Sequence, residues 1–336
     1  MNVFWNHFTN DNDMDRIAFL VRKQVEGDRQ TARLCGKKVG LLLHLGSLPS
    51  DLGLRHIGIL LKILSEYFAK SDLFLLSDMF FPTSHMVFEN YLSDIRYMQQ
   101  EHFQIQPKRR PSIQVSFFGG VKTSSYLSEK YLANSISQAD YLISIAVLAE
   151  DPIFTIHAST SSNFWLLPSY SKNEILIQEN FQQRCLSLLE AIGPIQAKNH
   201  FSINIYSALG NSFLVLSPNS ISADAVASTL CGIPPAKNKL LGNADKKGFG
   251  NSVLSHMTIY GDPIKKPLVE FPFSGDTYAI GIHKDQCNLC EDCTVFCPLQ
   301  AMCICNQHLF WNAEKCNRCG YCISICPQSA LFKRRK

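Results

Sequence analysis

No apolar run in this chain reaches 18 residues. No transmembrane helix is therefore expected, because crossing a bilayer as a helix takes about 20 mostly apolar residues. The opening stretch MNVFWNHFTNDNDMD has no basic segment followed by an apolar one, so no secretory signal is expected. Charge is scarce too. Only 18% of the residues are charged, which excludes a long disordered tail. The net charge of +4 is too small to indicate nucleic acid by itself. Several enzyme signatures are also missing: G-x-G-x-x-G, the P-loop, G-x-S-x-G and H-E-x-x-H. Dinucleotide, nucleoside triphosphate, serine hydrolase and zinc protease chemistry thus have no motif to rest on.

What the chain has is apolar residues and cysteine. Hydrophobic residues make up 46% of its 336 positions, ample for one large domain and a smaller unit. Of thirteen cysteines, eight fall in two C-terminal runs. Cys287, Cys290, Cys293 and Cys297 read C-x2-C-x2-C-x3-C-P, ending at Pro298. Cys316, Cys319, Cys322 and Cys326 repeat the pattern, ending at Pro327. Each second-run cysteine lies 29 residues after its counterpart, and Ala301 and Ala330 keep that offset. The stretch therefore reads as an internal duplication.

A 4Fe–4S cubane needs four thiolates, and in this spacing the fourth cysteine of each run ligates the other cluster. The assignment is Cys287, Cys290, Cys293 and Cys326 for one cluster. The other takes Cys316, Cys319, Cys322 and Cys297. Proline after the fourth cysteine fixes φ and donates no hydrogen bond, which ends the ligand segment. Zinc and disulfides are the competing readings. Zinc prefers two separated ligand pairs, whereas here three cysteines fall within seven residues, twice. Residues 279–332 resemble the bacterial two-cluster ferredoxins, with all eight ligand positions and both prolines matching. Glu291 stands where the second run has Gly320.

Five cysteines remain. Cys35, Cys185 and Cys231 are scattered and read as small buried apolar residues. Cys303 and Cys305 alternate on one strand face and are expected to pack beside a cluster.

Ahead of the cysteine runs, short apolar strands alternate with helical periodicity. Strands are expected at 39–46, 72–78, 113–118, 140–148, 201–208, 212–217 and 256–262. Helices are expected at 13–34, 52–70, 85–100, 125–136, 173–192 and 222–232. A Ser-rich loop is expected at 158–171. The alternation predicts an α/β domain with a largely parallel sheet over 1–262. The proline-bearing segment 263–278 reads as a linker, and 279–336 as a small α+β ferredoxin-like dicluster domain.

The order of segments resembles an uncharacterised family, domain of unknown function 362. In NSISADAVASTLCGI (219–233), Asp224, Ala225, Val226, Ala227 and Gly232 agree with that family's element, while Asn219 and Ser220 replace its Asp-Pro. KKGFG (246–250), TIYGDP (258–263), QADYLISIAVL (138–148) and LLSD (75–78) fit further segments. The family's Lys-Pro-Asn is replaced by His44-Leu45-Gly46, and its Lys-x-His by Ala149-Glu150-Asp151. Its later Lys-Asn pair is not found. The resemblance implies a fold rather than a reaction.

Other candidates have bland readings beside the sharp ones. Asp78 ends a strand, where open α/β sheets bind ligands, but a cap or loop acid is commoner. Asp224 reads as a helix N-terminal acid favoured by the dipole. His44 reads as a core histidine before a ligand. The glycines of LGNS (209–212) and GFGNS (248–252) read as ordinary turns before phosphate or flavin loops. Lys108-Arg109-Arg110 and Lys333-Arg334-Arg335-Lys336 read as solvated runs, and nucleic acid is the lesser reading because no aromatic motif accompanies them. The last run would also offset cluster charge or steer a partner.

The expected protein carries two 4Fe–4S clusters and relays single electrons to its α/β domain or to a redox partner protein. The alternatives are a reductase acting on a small molecule or flavin, for which no motif speaks, and an interaction module with structural clusters. No membrane partner is expected, and a reduced compartment, the cytoplasm, suits the thiols.

Overall fold

The computed structural model describes residues 2–8, 14–27, 36–44, 51–68, 72–77, 96–97, 139–167, 169–208, 210–271 and 278–334. Fourteen strands are described: β1 (Asn2–Phe8), β2 (Lys38–His44), β3 (Asp72–Ser77), β4 (Arg96–Tyr97), β5 (Tyr141–Val147), β6 (Ala149–Asp151), β7 (Thr155–His157), β8 (Asn199–Tyr206), β9 (Ser212–Ser217), β10 (Thr258–Gly261), β11 (Ala279–Ile282), β12 (Met302–Cys305), β13 (His308–Trp311) and β14 (Leu331–Arg334).

Eight of them form one sheet in the order β10-β1-β9-β8-β5-β2-β3-β4. All adjacent pairs are parallel except those made by β9, which runs against both β1 and β8. The molecule is thus mixed α/β with a mostly parallel central sheet. The composition of the central strands explains this arrangement. KVGLLLH and YLISIAV are near-continuous apolar runs, as strands covered on both faces require. Leu41 and Leu43 turn to one layer with Ile17, Leu20 and Ile57, from helices Met14–Gly27 and Asp51–Tyr67. Leu42 turns to the other, with Leu188, Ile192 and Leu240 from helices Phe181–Lys198 and Lys239–Lys246. Helix Ser220–Leu230 covers the same face nearer β1 and β9. Each fully buried aliphatic side chain contributes roughly 1.5–3 kcal/mol.

Several sequence expectations change. The helix expected over 85–100 does not extend through Arg96–Tyr97, which pair with β3; the rest of it, the strand at 113–118 and the helix at 125–136 lie outside the described residues. The Ser-rich stretch is not a loop. It forms a buried turn of helix, Ser159–Ser162, then a 3-10 turn, Asn163–Leu166. The helix expected at 173–192 is two helices, Ser169–Leu176 and Phe181–Lys198. Asn180 restarts the second by accepting from the Gln183 amide at 2.8 Å, as an N-cap does. Strand β1 and the β6–β7 hairpin were not anticipated.

Residues 264–271 lie on the α/β core. Leu268 and Val269 donate backbone hydrogen bonds to Leu230, and Phe271 to Cys231. Among the described residues no helix is long and apolar enough to cross a membrane.

Candidate metal centre

The C-terminal segment pairs β11 with β14 and β12 with β13, both antiparallel. Two short helices, Asp292–Val295 and Tyr321–Ile325, begin two residues after Cys290 and Cys319 respectively. The two halves share their unusual backbone as well as their sequence. Positive φ occurs at Leu289 and Arg318 (55° and 58°), Glu291 and Gly320 (67° and 78°), and Gln300 and Ser329 (50° each). Left-handed residues bend the chain tightly and turn successive amides toward one side. Here those amides meet sulfur. Ala301 donates to Cys297 Sγ at 3.2 Å and Ala330 to Cys326 Sγ at 3.3 Å. Arg318 donates to Cys316 Sγ at 3.4 Å.

The eight cysteines ring two hollows. One, of about 350 Å³ including its open mouth, is lined by Cys287, Cys290, Cys293 and Cys326. The other, of about 370 Å³, is lined by Cys297, Cys316, Cys319 and Cys322. Each hollow takes three cysteines from one run and the fourth from the other. Among the described residues no three His, Cys, Asp or Glu side chains gather as a single-ion site. A cubane asks for something different, four thiolates spread around a polynuclear core, and this donor set fits it.

Electrostatics say the same. Burial, then the neighbouring thiols, push Cys293 up to about 12. Burial likewise pushes Cys319 up to about 11, against a Tyr321 backbone bond and the Arg184 charge, which pull it down. Cys322 is raised well above the ordinary value by burial first and its sulfur neighbours next. Thiols collected this closely cannot all ionise without a cation among them, and coordination to a metal deprotonates a thiol outright.

The two hollows differ in their surroundings. The hollow with Cys319 abuts the α/β core and is the inner one. Gly320 lies so close to Pro152, between β6 and β7, that a Cβ would sit 2.7 Å from the Pro152 carbonyl carbon. Arg184, nearly buried, donates to the Asn317 carbonyl at 3.0 Å and the Arg318 carbonyl at 3.4 Å. Asn317 donates in turn to Leu176 and Gln178 carbonyls at 2.7 and 3.1 Å, across the break between the two helices. Tyr321 stacks on Trp165 at 5.9 Å and meets Phe164 edge-on at 6.2 Å. The other hollow is outer, and its far wall is Ile304 and Leu309 of the β12–β13 hairpin.

The remaining sequence candidates fall away from this centre. Cys303 and Cys305 do share a face, but they point to solvent rather than to a cluster, because Met302 takes the inward position. Cys185 and Cys231 are fully buried; Cys35, Asp78 and Lys108-Arg109-Arg110 lie outside the described residues. His44 is fully buried at the end of β2. Lys333 and Arg334 are part of β14, not a free tail, and Lys333 lies over the Tyr278 ring at 5.0 Å. Gly250 is held against Asn219, whose amide donates to Phe249 at 2.7 Å, so that glycine turn is closed by packing.

Asp224 is the clearest correction. It is fully buried and serves another helix, accepting from Ser159 N at 3.1 Å, Thr160 N at 2.8 Å and Asn204 Nδ2 at 2.7 Å. Burial raises its pKa to about 6, with these donors opposing the rise. The missed Ser159–Ser162 helix is thus pinned by residues far along the chain.

Against known families, a 4Fe-4S binding domain matches residues 309–332, the segment that carries the second cysteine run. That match marks an iron–sulfur segment of the kind used in electron transfer. Among solved structures the chain is similar to the lactate racemase apoprotein from Thermoanaerobacterium thermosaccharolyticum. Identity is 9% and the TM-score 0.36, over 63% of this chain and 53% of that one. The chain therefore spans about half the length of that structure. No curated protein matches.

Proposed function

We propose that the chain relays single electrons through two 4Fe–4S clusters, from an external donor to its own α/β domain or to a redox partner. The observation that carries this is the crossed pair of thiol-lined hollows. Cys287, Cys290, Cys293 and Cys326 would hold the outer cluster, and Cys297, Cys316, Cys319 and Cys322 the inner. Bound there, the clusters supply one-electron chemistry. The protein's own contribution is placement: amides aimed at sulfur, a buried guanidinium beside the inner hollow, and the Tyr321–Trp165 stack leading from it into the core. The segment 279–336 would be the dicluster unit, and the α/β part a divergent relative of domain of unknown function 362. A reduced compartment, the cytoplasm, suits both.

The test is metal and sulfide analysis of anaerobically prepared full-length protein, with EPR after dithionite. About eight iron and eight sulfide per chain are expected, from two four-iron clusters, with a reduced-cluster signal. Zinc without sulfide would overturn the reading. Clusters that dithionite cannot reduce would leave only a structural role, and bound flavin with substrate-dependent reoxidation would move the chemistry into the α/β domain.

A further inference from the structure

The β12–β13 hairpin has two unlike faces. Ile304 and Leu309 face inward and line the outer hollow. Facing solvent are Cys303 and Cys305 on β12, and on β13 their cross-strand partners, Phe310 opposite Cys303 and His308 opposite Cys305. Facing residues on adjacent strands have Cβ atoms about 5 Å apart, so one patch holds two thiols, an imidazole and an aromatic ring that is 50% exposed. The thiols sense one another: desolvation, then a hydrogen bond with Cys305, holds the Cys303 thiol above its ordinary pKa. His308 Nδ1 lies 2.7 Å from the Asn306 carbonyl. A carbonyl only accepts, so Nδ1 carries the hydrogen and Nε2 is the basic nitrogen of the neutral ring.

We propose that Cys303 and Cys305 are a redox-active dithiol that reduces an external disulfide at the expense of electrons held by the neighbouring clusters. This rests on the two-cluster reading. The geometry suits a labile bond. Cysteines two apart on a strand have Cα atoms about 6.7 Å apart, at the upper edge of what a disulfide spans, and their parallel Cβ atoms lie farther apart than the roughly 4 Å of a relaxed one, so closing the bond bends β12. A bond formed there is strained, and strained, exposed disulfides are the easily reduced ones. The electron count also suits it, since a dithiol exchanges two electrons and two clusters hold one each.

The steps balance. Cys305, its proton taken by His308 Nε2, attacks one sulfur of the external disulfide and displaces the first thiolate. Cys303 then gives its proton to the departing group, attacks the Cys305 sulfur, displaces the second thiol and leaves a Cys303–Cys305 disulfide. Two electrons, one from each cluster that the two hollows would hold, and two protons would restore both thiols. One external disulfide, two electrons and two protons become two thiols. The cross-strand Phe310 offers the incoming disulfide an apolar contact.

The test uses dithionite-reduced, anaerobically reconstituted full-length protein, mixed with oxidised glutathione as a small disulfide and with insulin as a protein one. Peptide mapping of native protein should show a Cys303–Cys305 disulfide once reductant is exhausted. Cys303→Ser should stall with glutathione attached to Cys305, and Cys305→Ser should carry none there. Both variants should keep native iron and sulfide yet reoxidise at least tenfold more slowly with whichever disulfide is the physiological class. Native-rate reoxidation of Cys305→Ser overturns the proposal. So do two freely alkylated thiols after treatment, or stoichiometric zinc held by the pair. If iron and sulfide are absent from native protein, the relay fails, whereas the stalled glutathione adduct still reports on the dithiol alone.

Discussion

Gly320→Ala is the sharpest perturbation of the junction between the cysteine-rich segment and the α/β core. Two costs add. At φ of 78° an L-residue loses roughly 1–2 kcal/mol relative to glycine. The new methyl would also lie 2.7 Å from the Pro152 carbonyl carbon and 3.1 Å from its Cβ. Relieving such overpacking costs typically about 1–3 kcal/mol. The lower bound of the sum, about 2 kcal/mol, is a roughly 30-fold change in the opening equilibrium of this contact. The observable is amide hydrogen exchange across 316–325, which should speed about 30-fold in the variant, while the 287–297 loop stays near native. The counterpart 29 residues earlier supplies the control. Glu291 has φ of 67° and is exposed, so Glu291→Gly removes about 1 kcal/mol of strain without meeting a neighbour and should slow local exchange about fivefold. Unchanged exchange at 316–325 in Gly320→Ala, or equal acceleration of both loops, would refute the claim that the second loop is held by Pro152.

The crossed ligand sets make a separate prediction. Cys326→Ser should lose the outer cluster and Cys297→Ser the inner, each variant keeping about four iron; iron kept in the outer hollow of Cys326→Ser, or in the inner hollow of Cys297→Ser, would refute the crossing. Arg184→Gln leaves the Asn317 and Arg318 carbonyls without the guanidinium, costing about 1–3 kcal/mol, and should lower the inner cluster's midpoint in EPR-monitored titration. An equal shift of both clusters would count against it. Asp224 yields a pH effect. Its folded pKa of about 6 lies above the ordinary 3.8, so the folded state binds the extra proton. Its contribution is complete below about pH 4 and is lost as pH rises through 6, by roughly 3 kcal/mol in total. Urea midpoints at pH 4.5 and pH 7 should show this slope in native protein relative to Asp224→Asn; parallel behaviour of the two would sink the assignment.

Where the determinants are local, the sequence was sufficient. KVGLLLH reads as a buried strand because its apolar run is unbroken. The thiol spacing reads as a cluster loop because three cysteines fall within seven residues, twice. Where they are distant, it was not. Ser159–Ser162 looks like a polar loop until Asn204 and Asp224, 45 and 65 residues on, supply acceptors for its amides. Strand β1 shows the alternation of Val3 and Trp5, but its partners begin at Ser212 and Thr258, far outside any local window. The Glu291–Gly320 difference was visible as a mismatch between repeats, yet its cause is Pro152, which no comparison of the repeats contains.

A duplicated sequence builds two nearly equivalent thiol sites, so any direction in the proposed relay must come from what surrounds them. Backbone amides reach sulfur in both halves, to Cys297 and Cys316 at the inner hollow and to Cys326 at the outer. The α/β core distinguishes the two sites. It places the Arg184 guanidinium, only 5% exposed, against the second loop, where water screens it little. A nearby positive charge favours the more negative, reduced state of a cluster. In the proposed relay the inner site would thereby be the better acceptor, and the outer site, open beside the hairpin, the point of exchange with other molecules. An electron arriving at the outer site would run downhill toward Tyr321 and Trp165. Held back by a slow acceptor in the core, it would remain available to the hairpin thiols instead.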